Sequence, residues 1–185
     1  MFSVFRNQMQ EVKLMRISKI VLLSAALCVL AVGAGAQTLS LLNTAAAARP
    51  FHAVIEGNAN PTFIDPCTIE NHETASGKAL HLGRITWSSD EMAVFVPCPP
   101  PTFPAIIEVT GNFTMTAANG DEIYGEYHTT GTFDPVAGVS VRGEYTFTSG
   151  TGRFRNVTGT GVITANGAAT PPFEVVGSLD GTISY

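Results

Sequence analysis

From Val139 to Phe147 the sequence alternates strictly. Val139, Val141, Gly143, Tyr145 and Phe147 share one parity, and Ser140, Arg142, Glu144 and Thr146 share the other. Successive side chains of an extended strand point to opposite faces, so this segment predicts a strand with one dry and one wet face. The pattern returns at the C-terminus, where Phe173, Val175, Gly177, Leu179, Gly181, Ile183 and Tyr185 form the apolar parity. After Phe51 no helical period of useful length appears. A chain of 185 residues with 45% apolar and 14% charged residues is long and apolar enough for one buried core.

Turn signals separate further runs. Asn119-Gly120 suits a type I′ hairpin turn. Asp134-Pro135 to Gly138, Ser149 to Gly152, and Asn166-Gly167 to Pro172 mark the later turns. Strands are expected at 51–57, 78–87, 91–96, 109–117, 122–132, 139–147 and 173–185, with another running from Val157 into Asn166-Gly167. Residues 97–101 (Pro-Cys-Pro-Pro-Pro) lack the N–H donors of a central strand and read as a stiff, extended loop. About eight strands with short links would expose long edges unless the sheet closed or split. The expected fold is therefore all-β: a single antiparallel, roughly eight-stranded barrel, with a β-sandwich as runner-up.

The N-terminus does not share this pattern. Lys13, Arg16 and Lys19 precede an uncharged apolar run from Ile20 to Val32, and Ala34-Gly35-Ala36 follows. This order reads as a signal peptide over residues 1–36, cut between Ala36 and Gln37. Either Met1 or Met15 can serve as its start. The run is short for a membrane span, so a membrane contact is expected only through an uncleaved signal. Residues 37–50 read as a linker or tail, and 51–185 as the barrel. The expected location is secreted or periplasmic.

Without the signal, six cations (Arg49, Lys78, Arg84, Arg142, Arg153, Arg155) face fourteen acids, a net charge of −8. A clustered basic footprint for nucleic acid is absent, so no nucleic-acid partner is expected. Two cysteines remain, Cys67 and Cys98. Export and an even count point to one disulfide between them; two reduced thiols are the alternative.

Four segments carry a family resemblance: Lys78 to Gly83 (KALHLG), Thr116 to Asp121 (TAANGD), Gly150 to Phe154 (GTGRF) and Gly181 to Tyr185 (GTISY). In these, residues 50–185 resemble uncharacterised secreted bacterial β-barrel proteins, which are similar to the calycin-like barrels of the allene oxide cyclase and dirigent type. The resemblance implies a closed barrel and, by analogy only, an isomerase- or cyclase-like activity. None of the cyclase's catalytic residues finds a counterpart here.

Candidate chemistry is sparse. His52, His72, His81 and His128 are never closer than nine residues, which lacks the close ligand pair of a zinc site, so no metal is expected. His81 shares parity with Ala79, Ile85 and Trp87 and reads as a wall residue; His128 reads as exposed. Asp121, Glu122 and Glu126 flank one hairpin and read as solvated acids rather than a glycosidase pair. Neither a Gly-x-Ser-x-Gly elbow nor a phosphate-binding loop is present, and no cofactor is expected. The aromatics are more informative. Trp87, Phe113, Tyr127, Tyr145 and Phe147, with Phe154 and Phe173, either fill the core or, if the barrel is hollow toward one mouth, line an apolar pocket. The leading expectation is a non-enzymatic barrel that binds a small apolar ligand or an extracellular partner. An isomerase-like enzyme and an outer-membrane barrel are the alternatives.

Overall fold

The computed structural model describes residues 47–185. The expected signal, its cleavage point at Ala36 and Gln37, and most of the expected tail lie outside the described residues. Eight antiparallel strands close in chain order: β1 (Arg49–Asp65), β2 (Thr68–Ala79), β3 (Gly83–Phe95), β4 (Ala105–Ala117), β5 (Glu122–Asp134), β6 (Gly138–Gly150), β7 (Gly159–Gly167) and β8 (Glu174–Ile183). Closure comes from β1, which bonds β2 on one side and β8 on the other, from Arg49 opposite Ile183 to Asn58 opposite Glu174. The fold is a closed barrel and not a sandwich. The first strand begins two residues before the expected boundary, because Arg49 and Pro50 already pair with Ile183 and Thr182.

The dry parity faces inward in every strand. On β6, Tyr145 and Phe147 are 1% and 3% exposed, and their neighbours Glu144 and Thr146 face outward. Burying such rings contributes about 2–3 kcal/mol each. The expected count of eight strands is met, but by a different division of the chain. Residues 78–87 are not one strand: β2 ends at Ala79, a turn follows, and β3 begins at Gly83. The segments read as strands at 78–87 and 91–96 are largely one strand, β3. Strand β2 was absent from the sequence reading, because its inward set (Ile69, Asn71, Glu73, Ala75, Gly77, Ala79) lacks apolar contrast with its outward set.

Three local expectations also change. The hairpin at Asn119-Gly120 is a three-residue loop, not a type I′ turn. Only Gly120 has positive φ (85°), Gly120 N–H donates to the Ala117 carbonyl, and Ala117 N–H donates to the Asp121 carbonyl. His81 is no wall residue: it lies in the β2–β3 turn at φ 73°, and its Nε2 is 3.0 Å from the Pro50 carbonyl. The proline-rich loop bends repeatedly rather than extending. Phe103 folds back onto Phe95 (centroids 6.4 Å) and Phe133 (6.0 Å), and a disulfide holds Cys98 to Cys67 with 5.5 Å between their Cα atoms.

The two ends differ. At one end Leu82, Phe154, Val157 and Ile183 are buried and close the barrel. There Arg153 Nη2 donates to the His81 carbonyl (3.0 Å), and the Arg153 backbone N–H donates to Asp121 Oδ2 (3.2 Å), which ties three chain crossings together. Above this end an aromatic layer fills the barrel. Trp87 stacks on Phe113 at 4.5 Å and 14°, and Phe51 meets Phe147 edge-on at 5.2 Å. Phe113 occupies the space that a side chain at Gly125 would take: a Cβ there would fall 2.2 Å from Phe113 Cζ. The opposite end is open, and it carries exposed apolar residues: Phe63 and Ile64 at the end of β1, and Val96, Phe103 and Val136 on the connections.

Gly125→Ala is expected to lower the unfolding free energy by about 1–3 kcal/mol, read by urea denaturation, because the added methyl must displace the Phe113 ring. Cys98→Ala opens a loop of 31 residues and is expected to cost about 3–4 kcal/mol in the same assay. Wild-type protein held in reductant should show the same loss.

Candidate ligand cavity

The open half of the barrel holds a cavity of about 380 Å³. Its walls are apolar: Ile69 from β2, Ala93 from β3, Ile107 and Val109 from β4, Phe133 from β5, Val139 and Val141 from β6, Ala165 from β7 and Val175 from β8. Ala168, Ala169 and Phe173 of the β7–β8 connection and Phe63 of β1 line the mouth. Eight strands enclose just enough room for one small ligand once side chains stop filling it.

The floor is polar. Asn71 and Glu73 project inward from β2, and Ser89 and Glu91 from β3; Asn71 is registered opposite Glu91, and Glu73 opposite Ser89. Glu73 and Glu91 are therefore diagonal neighbours on one face, about 7–8 Å apart along the sheet. Strand β4 places Gly111 opposite Glu91, and β5 places Tyr127 opposite Gly111. Because Gly111 has no side chain, the Tyr127 ring lies across that strand: a Cβ at Gly111 would fall 2.6 Å from Tyr127 Oη. The Tyr127 hydroxyl thereby reaches and donates to Glu91 Oε2. Asn71 Nδ2 donates to Glu91 Oε1, and the Asn60 backbone N–H donates to Asn71 Oδ1 at 2.9 Å. Trp87 Nε1 donates to Ser89 Oγ at 3.2 Å.

Glu73 is the exception in this network. It is 7% exposed, lines the cavity, and accepts no hydrogen bond from any described residue. Burial, and next the charge of Glu91, push its carboxyl from the ordinary 4.5 up to about 8. At neutral pH Glu73 is mainly a neutral acid beside a hydrogen-bonded carboxylate. Burial and the adjacent Glu91 hold the Tyr127 phenol far above its usual range, so it stays a donor. Two buried hydroxyls, Thr129 Oγ1 and Tyr145 Oη, have no hydrogen-bond partner among the described residues.

Of the aromatic residues read from the sequence, Phe173 lines the mouth and the others sit elsewhere. Trp87, Phe113, Tyr127, Tyr145 and Phe147 are all buried and pack together in the closed half, below the cavity floor. None of the five is a wall of the cavity; Tyr127 reaches it only through Glu91. The histidines do not converge. His52 pairs with Asp180 (2.6 Å) and His72 with Asp90 (2.7 Å), both on the outer surface, and His128 is exposed. Among the described residues no three His, Cys, Asp or Glu side chains form a metal-binding group. Asp121 serves the closed end, accepting from Asn119 and Arg153, while Glu126 faces outward. A shallow depression of about 680 Å³ crosses the outer face, lined by Glu70, Asp90, Glu126 and Glu144 among others, and it also touches Glu91, Gly111 and Tyr127.

The sequence reading missed Asn71, Glu73 and Glu91. Parity could have found Glu91, because β3 read without a break puts Ile85, Trp87, Ser89, Glu91, Ala93 and Phe95 on one face. For Glu73 no such signal exists within β2 itself.

Glu73 makes stability depend on pH. Its folded value lies above its unfolded one, so the native state holds a proton that the unfolded chain releases between about 4.5 and 8. Its contribution is complete below about 4.5, is lost progressively as pH rises across that window, and is gone above about 8. Glu73→Gln should flatten this slope, as read by urea unfolding at pH 5, 6, 7 and 8. Equal slopes in variant and wild type would contradict the assignment.

In comparisons with known protein families and with curated proteins, nothing matches this chain.

Proposed function

We propose that this is an exported, non-enzymatic barrel that binds a small apolar ligand in the open half of its interior. The observation that carries this reading is the 380 Å³ cavity with aliphatic walls and a polar floor. Binding sites for small molecules share that character: mostly apolar lining and a few convergent polar groups that fix orientation. The exposed apolar residues of the open end support passage of an apolar molecule through that mouth. The disulfide supports an oxidising compartment, in keeping with a secreted or periplasmic location.

The outward parity argues for watery surroundings. Strand β2 turns Glu70, His72, Thr74, Ser76 and Lys78 outward, and β6 turns Ser140, Arg142, Glu144 and Thr146 outward. A lipid-facing barrel needs an apolar band there. One observation favours the isomerase-like alternative. Glu73 as a neutral acid beside the Glu91 carboxylate is a pair able to give and take a proton. Catalysis would appear as conversion of a bound compound, which binding alone does not produce.

The neutral dye N-phenyl-1-naphthylamine is expected to gain fluorescence on binding wild-type protein. Ala165→Phe, which fills the cavity from β7, should weaken the dye at least tenfold without lowering the melting temperature. A wild-type protein that ignores the dye, or a variant that binds it equally well, would overturn the reading.

A further inference from the structure

Resting on that reading of the cavity, we infer that its ligand is a small organic cation, a protonated amine on an apolar body, with the ammonium seated between Glu73 and Glu91 on the floor. The argument begins with what the floor lacks. Both ionisable side chains lining the cavity are acidic, and no lysine, arginine or histidine is among the lining residues. Glu91 is half-buried, and a carboxylate drawn part of the way out of water is favoured by a nearby counter-charge. Here Glu91 has hydrogen bonds from Asn71 and Tyr127, both neutral, and no described cation beside it. The missing counter-charge has a place to sit, because the cavity opens directly over the carboxylate.

Glu73 supplies the second half of the seat. It is more than nine-tenths buried, faces the cavity, and has no hydrogen-bond partner among the described residues. An ammonium offers three donors and no acceptor, which suits two carboxyl groups with unused oxygen lone pairs. An alcohol would satisfy Glu73 but leave Glu91 without a counter-charge. A carboxylate, sulfate or phosphate would face two acids and no cation. The aliphatic walls, including Ile107, Val109 and Val141, then take the hydrocarbon body.

The proton balance follows from the same groups. Those facing Glu73 are Glu91 on β3 and Tyr127 on β5, while Asn71 beside it on β2 does not titrate. An incoming ammonium favours the ionised form of Glu73, so the acid gives its proton to solvent as the amine binds. Close to one proton should leave per ligand bound near neutral pH, where Glu73 begins mainly protonated.

The test uses three compounds with one body and three head groups: 4-phenylbutylamine, 4-phenylbutan-1-ol and 4-phenylbutanoate. Binding to wild-type protein is measured by calorimetry at pH 7 in two buffers of different ionisation enthalpy. The amine is expected to bind at least tenfold tighter than the alcohol and to release about one proton, and the carboxylate should be weakest. In Glu73→Gln, with its fold checked by circular dichroism, the proton release should vanish and the preference for amine over alcohol should narrow. Equal binding of amine and alcohol, preference for the carboxylate, or amine binding without proton release would each overturn the inference. So would failure of all three compounds to bind. If the neutral naphthylamine dye still binds in that case, the cavity reading survives and only the cation is wrong; if the dye fails too, both fall.

Discussion

The structure depends on one closure, the ladder between β1 and β8. Ten residue pairs join the first strand to the last, from Arg49 and Ile183 to Asn58 and Glu174. With that ladder made, every strand has two neighbours and no edge is left to recruit another chain. Closure also sets the interior volume, because strand number and stagger fix the width of a small barrel. The dry parity of every strand then has a single destination. What remains for the side chains to decide is how much of the enclosed space they fill.

They fill it unevenly. Rings from β1, β3, β4, β5 and β6 occupy the closed half, and glycines opposite them give those rings room. Gly125 makes space for Phe113, and Gly111 lets Tyr127 lie across β4. Toward the other mouth small residues (Ala59, Ala93, Ala165 and Gly167) stand among the larger aliphatic ones, and the space stays open. The boundary between the two halves is where polar side chains appear. Tyr127 spans it, with its ring in the aromatic layer and its hydroxyl on Glu91. The packed half thus orients a carboxylate for the hollow half.

The family resemblance and the candidate site occupy opposite ends. Residues 78–83 form the β2–β3 turn, 116–121 the β4–β5 turn, 150–154 the start of the β6–β7 connection, and 181–185 the end of β8. All four lie at the closed end, where Arg153, Asp121 and His81 are bonded together. Those motifs describe how a barrel is shut. They carry no information on what the open half holds, since residues shaping a closure answer to packing and not to a ligand. Residues 109–120 and 157–167 each begin with Val-Thr-Gly and end with Asn-Gly, yet the structure uses them differently. One copy runs toward the closed end in β4 and the other toward the open mouth in β7, and only Gly120 of the two Asn-Gly glycines has positive φ.

Sequence alone determined the strands whose faces differ in polarity, such as Val139 to Phe147, and the pairing of Cys67 with Cys98. Alternation is a local fact that needs no knowledge of neighbours, and residues 37–185 hold two cysteines and so allow one pairing. It also led to a closed sheet, because eight strands on short links have few other ways to protect their edges. Tertiary structure decided the rest. Glu73 sits in a strand whose two parities look alike, so its inward direction comes only from register with β1 and β3. Its raised proton affinity needs the walls of other strands and the charge of Glu91, which lies eighteen residues away in the chain. The aromatic residues were legible as interior, but which half of the interior they fill depends on the stagger between strands, and no single strand contains that quantity.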